Sequence, residues 1–254
     1  MSEPTETPRP LSQLQALAES VLGASGVSAG NARSVALALI AAERDGIASH
    51  GLSRLPFYAD QARSGKVDGH ANPSVETAGS VVRVDAGCGF AYPAIAQGLS
   101  VAVPLARSQG VAALAIARSH HFGVAGHPVE AIAEAGLVGI ALGNTPAAMA
   151  PWGGRTPVFG TNPLAFAAPR HPHPLVVDLS LSKVARGRIM VAAKRGDVIP
   201  EGWALDAQGA PTTDPDAALA GSMVPLGDAK GAALALMVEI LTAGLTGSHL
   251  AFEA

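Results

Sequence analysis

The period of the hydrophobic pattern changes near residue 80, and this change constrains the fold more than any other feature of the sequence. Before it, apolar residues recur every three or four positions in Leu11 to Leu22 and Asn31 to Arg44, which predicts amphipathic helices. From Val81 to Asp85 they alternate, which predicts a strand. We therefore predict an N-terminal helical domain over residues 1–78 and an α/β domain over residues 79–254.

Short apolar runs and Ala-rich stretches alternate in the second part, which predicts a mixed α/β fold. The predicted strands are Val111 to Ala117, Val138 to Leu142 and Leu175 to Val177; the predicted helices are Tyr92 to Ser108, Val129 to Ala135 and Gly231 to Ala243. Residues 143–174 and 196–215 are rich in Pro, Gly, Asn and Thr. Such composition disfavours a long helix and is typical of binding loops.

Charge and hydropathy exclude two classes of partner. Lys and Arg total 17 against 20 Asp and Glu, and no basic run could follow a nucleic-acid backbone. The apolar stretches end well short of the roughly 20 residues that a bilayer span needs, so no membrane partner is expected. The polar start of the sequence does not resemble a secretory signal, and Cys88 is the single cysteine. These features predict a cytoplasmic protein.

Several familiar motifs fail on inspection. Gly87-Cys88-Gly89 is not followed by the third glycine of a Rossmann dinucleotide turn. The stretch around Ser28 matches the sequence pattern of a nucleophile elbow but not its structural context. No strand precedes it, and Ser28 is placed to cap a helix. His120, His121 and His127 lack metalloprotease spacing, so no metal site is predicted.

Six short motifs, each weak alone, follow one another along the chain and together resemble the malate/L-lactate dehydrogenase family. They are Ser49-His50-Gly51-x-x-Arg54, Ser119-His120-His121-Phe122-Gly123, Phe159-Gly160-Thr161-Asn162-Pro163, Asp178-Leu179-Ser180, Ala185-Arg186-Gly187 and Lys230-Gly231. The resemblance implies a mixed-sheet, non-Rossmann nicotinamide-binding domain joined to an N-terminal helical domain. It covers nearly the whole chain, although the family's C-terminal segment is not matched, and we expect a truncated chain.

Within the family, the chain looks most like the Δ1-piperideine-2-carboxylate/Δ1-pyrroline-2-carboxylate reductase branch. This resemblance implies reduction of a cyclic 2-imino acid to L-pipecolate or L-proline, with NADPH as cofactor and NADH as the alternative. Two other readings stay open: a 2-hydroxy-acid dehydrogenase acting on a malate-, lactate- or ureidoglycolate-type substrate through its 2-oxo acid, and a non-catalytic ligand-binding form. The family is typically homodimeric, so a homodimer is expected.

The resemblance also implies roles for named residues. Hydride transfer leaves negative charge on the substrate oxygen or nitrogen, and His50 is the candidate that delivers the proton. Ser49 would orient the imidazole or relay its proton, which requires a non-helical junction, because consecutive helical side chains point apart. Arg54, one helical turn further on, would bind the substrate carboxylate with its planar fork.

The remaining predicted site residues follow from the family motifs. Asp178 is the fallback for a relay carboxylate that would complete the set with Ser49 and His50. The predicted substrate-binding residues besides Arg54 are Thr161, Arg186 and Gly187. The predicted cofactor-binding residues are His121, Phe122, Gly123, Val124, Ala125, Asp178, Leu179, Ser180, Asp228 and Lys230. Three cations, Arg118, Arg170 and Lys194, are available for the extra phosphate of NADPH.

Overall fold

A computed structural model describes residues 9–253 and divides the chain into two compact units. Unit 1 comprises the residues up to Val124, and unit 2 those from Ala125. The predicted domain boundary between residues 78 and 79 lies inside unit 1, because the helix that follows the first two strands packs on both the N-terminal helices and the strands. As a statement about independently folding domains, that boundary stays a prediction.

Unit 1 begins with three helices and ends with a small sheet. Its helices are α1 (Leu11–Gly23), α2 (Ala29–Arg44), α3 (Leu55–Arg63) and α4 (Ala91–Gln109), and its strands are β1 (Ser74–Ala78), β2 (Val81–Asp85) and β3 (Ala113–Ala117). The Ser28 side chain accepts a hydrogen bond from the backbone N–H of Asn31, so it caps α2 as the sequence predicts. Strand β1 pairs antiparallel with β2, and β2 pairs parallel with β3 across the α4 crossover.

The core of unit 1 has two parts. Leu22, Leu39 and Tyr58 belong to a fully buried cluster formed by the N-terminal helices, and Val82 and Val84 pack beneath α4. The apolar residues that recur every three or four positions along the helices therefore face the core, as the hydrophobic effect requires.

Unit 2 contains two three-stranded sheets and four α-helices among its described residues, followed by a π-helical segment (Ile240–Gly244) and a 3₁₀ turn (Ala251–Glu253). The helices are α5 (Gly126–Glu134), α6 (Arg186–Arg195), α7 (Pro215–Ala220) and α8 (Ala229–Glu239); the strands are β4 (Gly139–Leu142), β5 (Leu164–Ala168), β6 (Leu175–Leu179), β7 (Ala204–Leu205), β8 (Pro211–Thr212) and β9 (Ser222–Met223). Strands β4, β5 and β6 are antiparallel in that spatial order, and β8, β7 and β9 form the second antiparallel sheet.

Two elements of unit 2 depart from the sequence prediction. Strand β5 lies within residues 143–174, which were expected to be loop, and it is the central strand of its sheet. Pro163 and Pro169 flank the strand rather than interrupt it, so its ladder hydrogen bonds are kept. Helix α6 was not predicted, because it carries four cationic residues and buries only Ile189.

No helix within residues 9–253 combines the length and the hydropathy needed to cross a lipid bilayer.

Candidate functional site

The connection between α2 and α3 carries the predicted proton donor. Residues Ala48–Arg54, here called the histidine turn, form two short 3₁₀ turns, Ala48–His50 and Leu52–Arg54. The hydroxyl of Ser49 lies 3.0 Å from Nδ1 of His50. Adjacent side chains can meet in this way because the backbone here is not α-helical, as the sequence argument requires.

Arg54 closes the histidine turn from its C-terminal end. Its Nε donates a 2.7 Å hydrogen bond to the carbonyl oxygen of Ser49. Burial raises the pKa of Tyr58, and the positive charge of the half-buried Arg54 guanidinium opposes that rise only in part; for His121, burial lowers the pKa and the Arg54 charge lowers it further. The predicted carboxylate-binding residue and the predicted proton donor therefore belong to one hydrogen-bonded turn.

A second histidine lies against His50. The ring of His121 stacks on the ring of His50, with centroids 5.6 Å apart and an interplanar angle of 23°. Nδ1 of His121 lies 2.6 Å from the hydroxyl of Tyr58, which lies 3.0 Å from the hydroxyl of Tyr92. Nδ1 also accepts a 3.3 Å bond from the backbone N–H of Gly123. A backbone N–H can only donate, so Nδ1 is the acceptor, and neutral His121 carries its proton on Nε2.

Burial keeps His120 and His121 uncharged. Desolvation lowers the pKa of His121 to about 3, helped by the charges of Arg54 and of its histidine neighbours. Desolvation and the positive charge of Lys66 lower the pKa of His120 to about 4. Both imidazoles are therefore neutral near pH 7, and neither can donate a proton there as an imidazolium.

The segment that presents these histidines is fixed by the ends of β2 and β3. The guanidinium of Arg118 binds the carboxylate of Asp85 through two hydrogen bonds, of 2.9 and 2.5 Å. These bonds, with one from the Gly87 N–H, lower the pKa of Asp85. The backbone N–H of His120 donates to the carbonyl of Gly89 at 2.9 Å. Arg118, one of the three cations considered for the extra phosphate of NADPH, is thus bound to a carboxylate.

Gly123 illustrates how tightly this segment packs. Its φ is +75°, in the left-handed region, and a Cβ built there would lie 2.6 Å from the Tyr92 hydroxyl. His121, Phe122, Gly123 and Val124, four of the predicted cofactor-binding residues, belong to unit 1, whereas Ala125 begins unit 2. Phe122 stacks on His121 with ring centroids 6.3 Å apart.

Sequence reasoning missed Tyr58 and Tyr92, which are the only two tyrosines of the chain. The sequence did contain a signal for them. Aromatic residues are few in this chain, two of them carry a phenol hydroxyl, and a buried phenol hydroxyl needs a hydrogen-bond partner. The pattern alone could not identify the partner, because Tyr58 and His121 are 63 positions apart in the sequence.

Asp178 has a defined partner within unit 2. Its Oδ2 accepts a 2.7 Å hydrogen bond from the backbone N–H of Gly126, the first residue of α5. The carboxylate thus satisfies one of the orphan donors at this helix N-terminus. Ser49 and His50 belong to unit 1, so the relay role of Asp178 stays a prediction.

The residues after Asp178 join β6 to a serine pair. Leu179 is the last residue of β6 and pairs with Leu164 of β5. The hydroxyl of Ser182 donates to the hydroxyl of Ser180 at 3.1 Å.

Thr161 lies in a turn held by a buried network. Its backbone N–H donates to the hydroxyl of Thr145 at 2.9 Å, and the two hydroxyls lie 3.4 Å apart. The next residue, Asn162, is fully buried and donates to Oε2 of Glu239 at 2.7 Å. Glu239, which the sequence did not single out, also accepts the backbone N–H of Ala251 at 2.7 Å.

Two helix N-termini of unit 2 suit an anion. Within the described residues, no side chain caps α6, where Arg186 and Gly187 occupy the first turn. The same holds for α8, which follows Asp228 and carries the exposed Lys230 in its first turn. Uncapped N–H groups and the helix dipole attract negative charge. Binding of a phosphate or a carboxylate at these residues stays a prediction.

Comparison with known proteins gives consistent matches. A family model described as malate/L-lactate dehydrogenase matches residues 10–254. A (2R)-3-sulfolactate dehydrogenase (NADP(+)) from Chromohalobacter salexigens is 65% identical over 96% of this chain and 74% of its own length. A Δ1-pyrroline-2-carboxylate/Δ1-piperideine-2-carboxylate reductase from Pseudomonas putida is 46% identical over 96% of this chain and 72% of its own.

A solved structure matches nearly the whole chain. The Δ1-piperideine-2-carboxylate reductase from Pseudomonas syringae superposes with a TM-score of 0.95 at 44% identity, covering 98% of this chain and 76% of that one. This match confirms the predicted mixed α/β fold.

Proposed function

Because the chain belongs to the malate/L-lactate dehydrogenase family, we propose that it is an NADP(H)-dependent oxidoreductase that interconverts a 2-hydroxy acid and its 2-oxo acid. The observation that carries the chemistry is the histidine turn, where Ser49, His50 and Arg54 are joined by hydrogen bonds. A proton-transfer group and a cation with a planar fork are what oxidation or reduction next to a carboxylate needs.

The favoured substrate is (2R)-3-sulfolactate or a closely related anionic 2-hydroxy acid. The support is the 65% identity to a dehydrogenase of that compound, against 46% to the imino-acid reductase. The imino-acid reduction predicted from the sequence becomes the second candidate, supported by that relative and by the TM-score of 0.95 to a piperideine-2-carboxylate reductase. Both reactions exchange a hydride at the carbon beside a carboxylate.

The choice of NADP(H) rests on the cofactor in the sulfolactate enzyme's name and on residues that fit a dinucleotide. Lys230 and the uncapped first turn of α8 would hold a phosphate, and Arg186 and α6 offer a second anion site. When bound, the nicotinamide exchanges a hydride with C2 of the substrate.

His50 supplies the matching proton movement in our proposal. With Nδ1–H donating to the Ser49 hydroxyl, Nε2 takes the proton of the 2-hydroxyl group during oxidation and returns it during reduction. Arg54 binds the substrate carboxylate and fixes C2 relative to Nε2. His121, neutral and stacked on His50, adds no second positive charge beside the imidazolium that forms.

A substrate panel tests the proposal. Purified protein is assayed by NADPH absorbance with (2R)-3-sulfolactate, malate and lactate plus NADP⁺ or NAD⁺, and with Δ1-piperideine-2-carboxylate plus NADPH or NADH. We expect the highest kcat/KM for (2R)-3-sulfolactate with NADP⁺. A preference for the cyclic imine would replace the first candidate with the second, and binding of NADPH without turnover of any compound would contradict both.

We also propose a homodimer, which light scattering of the purified protein measures directly; a mass of one chain would contradict it.

A further inference from the structure

A glutamate on α2 packs against the histidine turn. Glu43 lies in the last turn of α2, half-buried, and its Oε1 accepts a 2.6 Å hydrogen bond from the backbone N–H of Leu52. Leu52 is two residues after His50, at the point where the first 3₁₀ turn gives way to the second. The Glu43 side chain therefore ties a rigid helix to the backbone that carries His50.

Gly51 shows how closely the carboxylate approaches this backbone. Gly51 is buried, and a Cβ built on it would lie 2.6 Å from Cδ of Glu43 and closer still to its Oε1. The Glu43 carboxylate therefore occupies the space that a side chain at Gly51 would need. The glycine of the Ser49-His50-Gly51 motif thus makes room for Glu43.

Bonds from within the histidine turn also hold its first 3₁₀ turn: the Ser53 hydroxyl donates to the carbonyl of Ala48 at 2.5 Å, and Nε of Arg54 donates to the carbonyl of Ser49 at 2.7 Å. The His50 N–H donates to the carbonyl of Ile47 at 2.9 Å, and the Gly51 N–H donates to the carbonyl of Ala48 at a long 3.3 Å. The Glu43 bond differs from all of these because it comes from a separate element outside the histidine turn, helix α2. A hydrogen bond to a charged acceptor is roughly twice as strong as one between neutral groups.

We infer that Glu43 is a positioning residue for His50: its hydrogen bond to the Leu52 amide, seated over Gly51, sets the direction in which the imidazole points. This inference rests on the proposed function, in which His50 exchanges a proton with the substrate. A displacement of about 1 Å at such a group can cost on the order of 100-fold in rate. Glu43 touches neither substrate nor cofactor in this account.

Four variants distinguish the effect of the Glu43–Leu52 hydrogen bond from the effect of the Glu43 charge. Glu43→Ala removes both, Glu43→Asp keeps the charge but shortens the reach, and Glu43→Gln keeps an acceptor oxygen at the same reach. Gly51→Ala displaces the carboxylate by filling its space. Glu76→Ala, which removes an exposed glutamate of β1 in the same unit, is the control.

We expect Glu43→Ala, Glu43→Asp and Gly51→Ala each to lower kcat at least tenfold, with the KM values for acid and cofactor within threefold of wild type. Glu43→Gln should keep at least a third of kcat, and Glu76→Ala should match wild type. The double variant Glu43→Ala/Gly51→Ala should be no slower than the slower single variant, because both changes break one contact. Wild-type kcat in Glu43→Ala, a rise in KM alone, or an equal loss in Glu43→Gln would overturn the inference.

A measurement that does not need turnover tests the positioning role of Glu43 independently of the proposed function. The imidazole nitrogen resonances of His50, assigned by comparison with His50→Ala, should shift in Glu43→Ala and in Gly51→Ala but not in Glu76→Ala. Circular dichroism confirms that each variant is folded, and Glu43→Asp replaces Glu43→Ala if the latter does not fold. An inactive wild type with the expected shifts would contradict the proposed function alone, whereas an active wild type with unmoved resonances would overturn the positioning role alone.

Discussion

Among single residues, Arg54 carries more than one role in the histidine turn. Arg54 has two tasks: its Nε holds the Ser49 carbonyl, and the rest of its planar fork is proposed to bind the substrate carboxylate. Lysine keeps the charge but loses the fork, so Arg54→Lys separates charge from geometry.

We predict that Arg54→Lys raises the KM for the acid substrate at least tenfold, which corresponds to about 1.4 kcal/mol of binding free energy. The KM for NADP(H) should stay within a factor of two. Steady-state kinetics on both substrates measures this, with Arg63→Lys, in the exposed pair with Asp60, as the control. An unchanged KM for the acid would contradict the assignment of Arg54.

At the scale of elements, helix α8 is joined to the turn that carries Thr161 through Glu239. Glu239 is only 3% exposed and accepts hydrogen bonds from the side chain of Asn162 and the backbone of Ala251. Removing one partner of a buried bond leaves the other unsatisfied, which costs about 1–3 kcal/mol per group.

Glu239→Ala should therefore lower the free energy of unfolding by about 3 kcal/mol, and Glu239→Gln by less, because its amide oxygen still accepts one bond. Urea unfolding followed by the fluorescence of Trp152 and Trp203, both in unit 2, measures the change. A loss below 1 kcal/mol in Glu239→Ala would show that the network contributes little.

Elements with a strong local pattern could be predicted from the sequence, and those defined by distant contacts could not. Helices α1 and α2 and strands β2, β3 and β4 lie where the spacing of apolar residues places them. Strand β5 was missed because its small residues give little alternation and its flanking prolines resemble a loop. Its pairing with β4 and β6 decides its structure, which is a tertiary effect.

In the candidate site, too, residues with a local signal could be predicted and residues defined by distant contacts could not. The motif around His50 identified the turn, because a polar Ser-His-Gly break between amphipathic helices is a local signal. Glu43, Tyr58 and Tyr92 were not identified, because each reads as an ordinary helical residue until the fold shows what it touches. Glu239 was missed for the same reason, since 77 positions separate it from Asn162.

Across the molecule as a whole, the half-buried His120 and His121 make stability depend on pH. Their folded pKa values, about 4 for His120 and about 3 for His121, lie below the ordinary value near 6.5. As the pH falls below 6.5, the unfolded chain binds protons that the folded chain does not, so stability is lost on acidification.

Between pH 6.5 and 5, we predict a loss of at most about 2 kcal/mol for each of these histidines. Urea unfolding followed by the near-ultraviolet circular dichroism of Tyr58 and Tyr92, both in unit 1, measures it. The double variant His120→Asn/His121→Asn should show a flatter dependence over this range. The same slope in wild type and double variant would contradict the burial of two neutral imidazoles.

Replacing His50 tests its proton-transfer role, with the reaction and the cofactor followed separately. His50→Ala should lower kcat for (2R)-3-sulfolactate oxidation by about 10²- to 10⁴-fold, as expected for loss of a general acid–base group. The affinity for NADPH, measured by its fluorescence on binding, should stay within a factor of three. His70→Ala, at an exposed histidine of the same unit, should match wild type in both measurements. Turnover by His50→Ala at the wild-type rate would contradict the account.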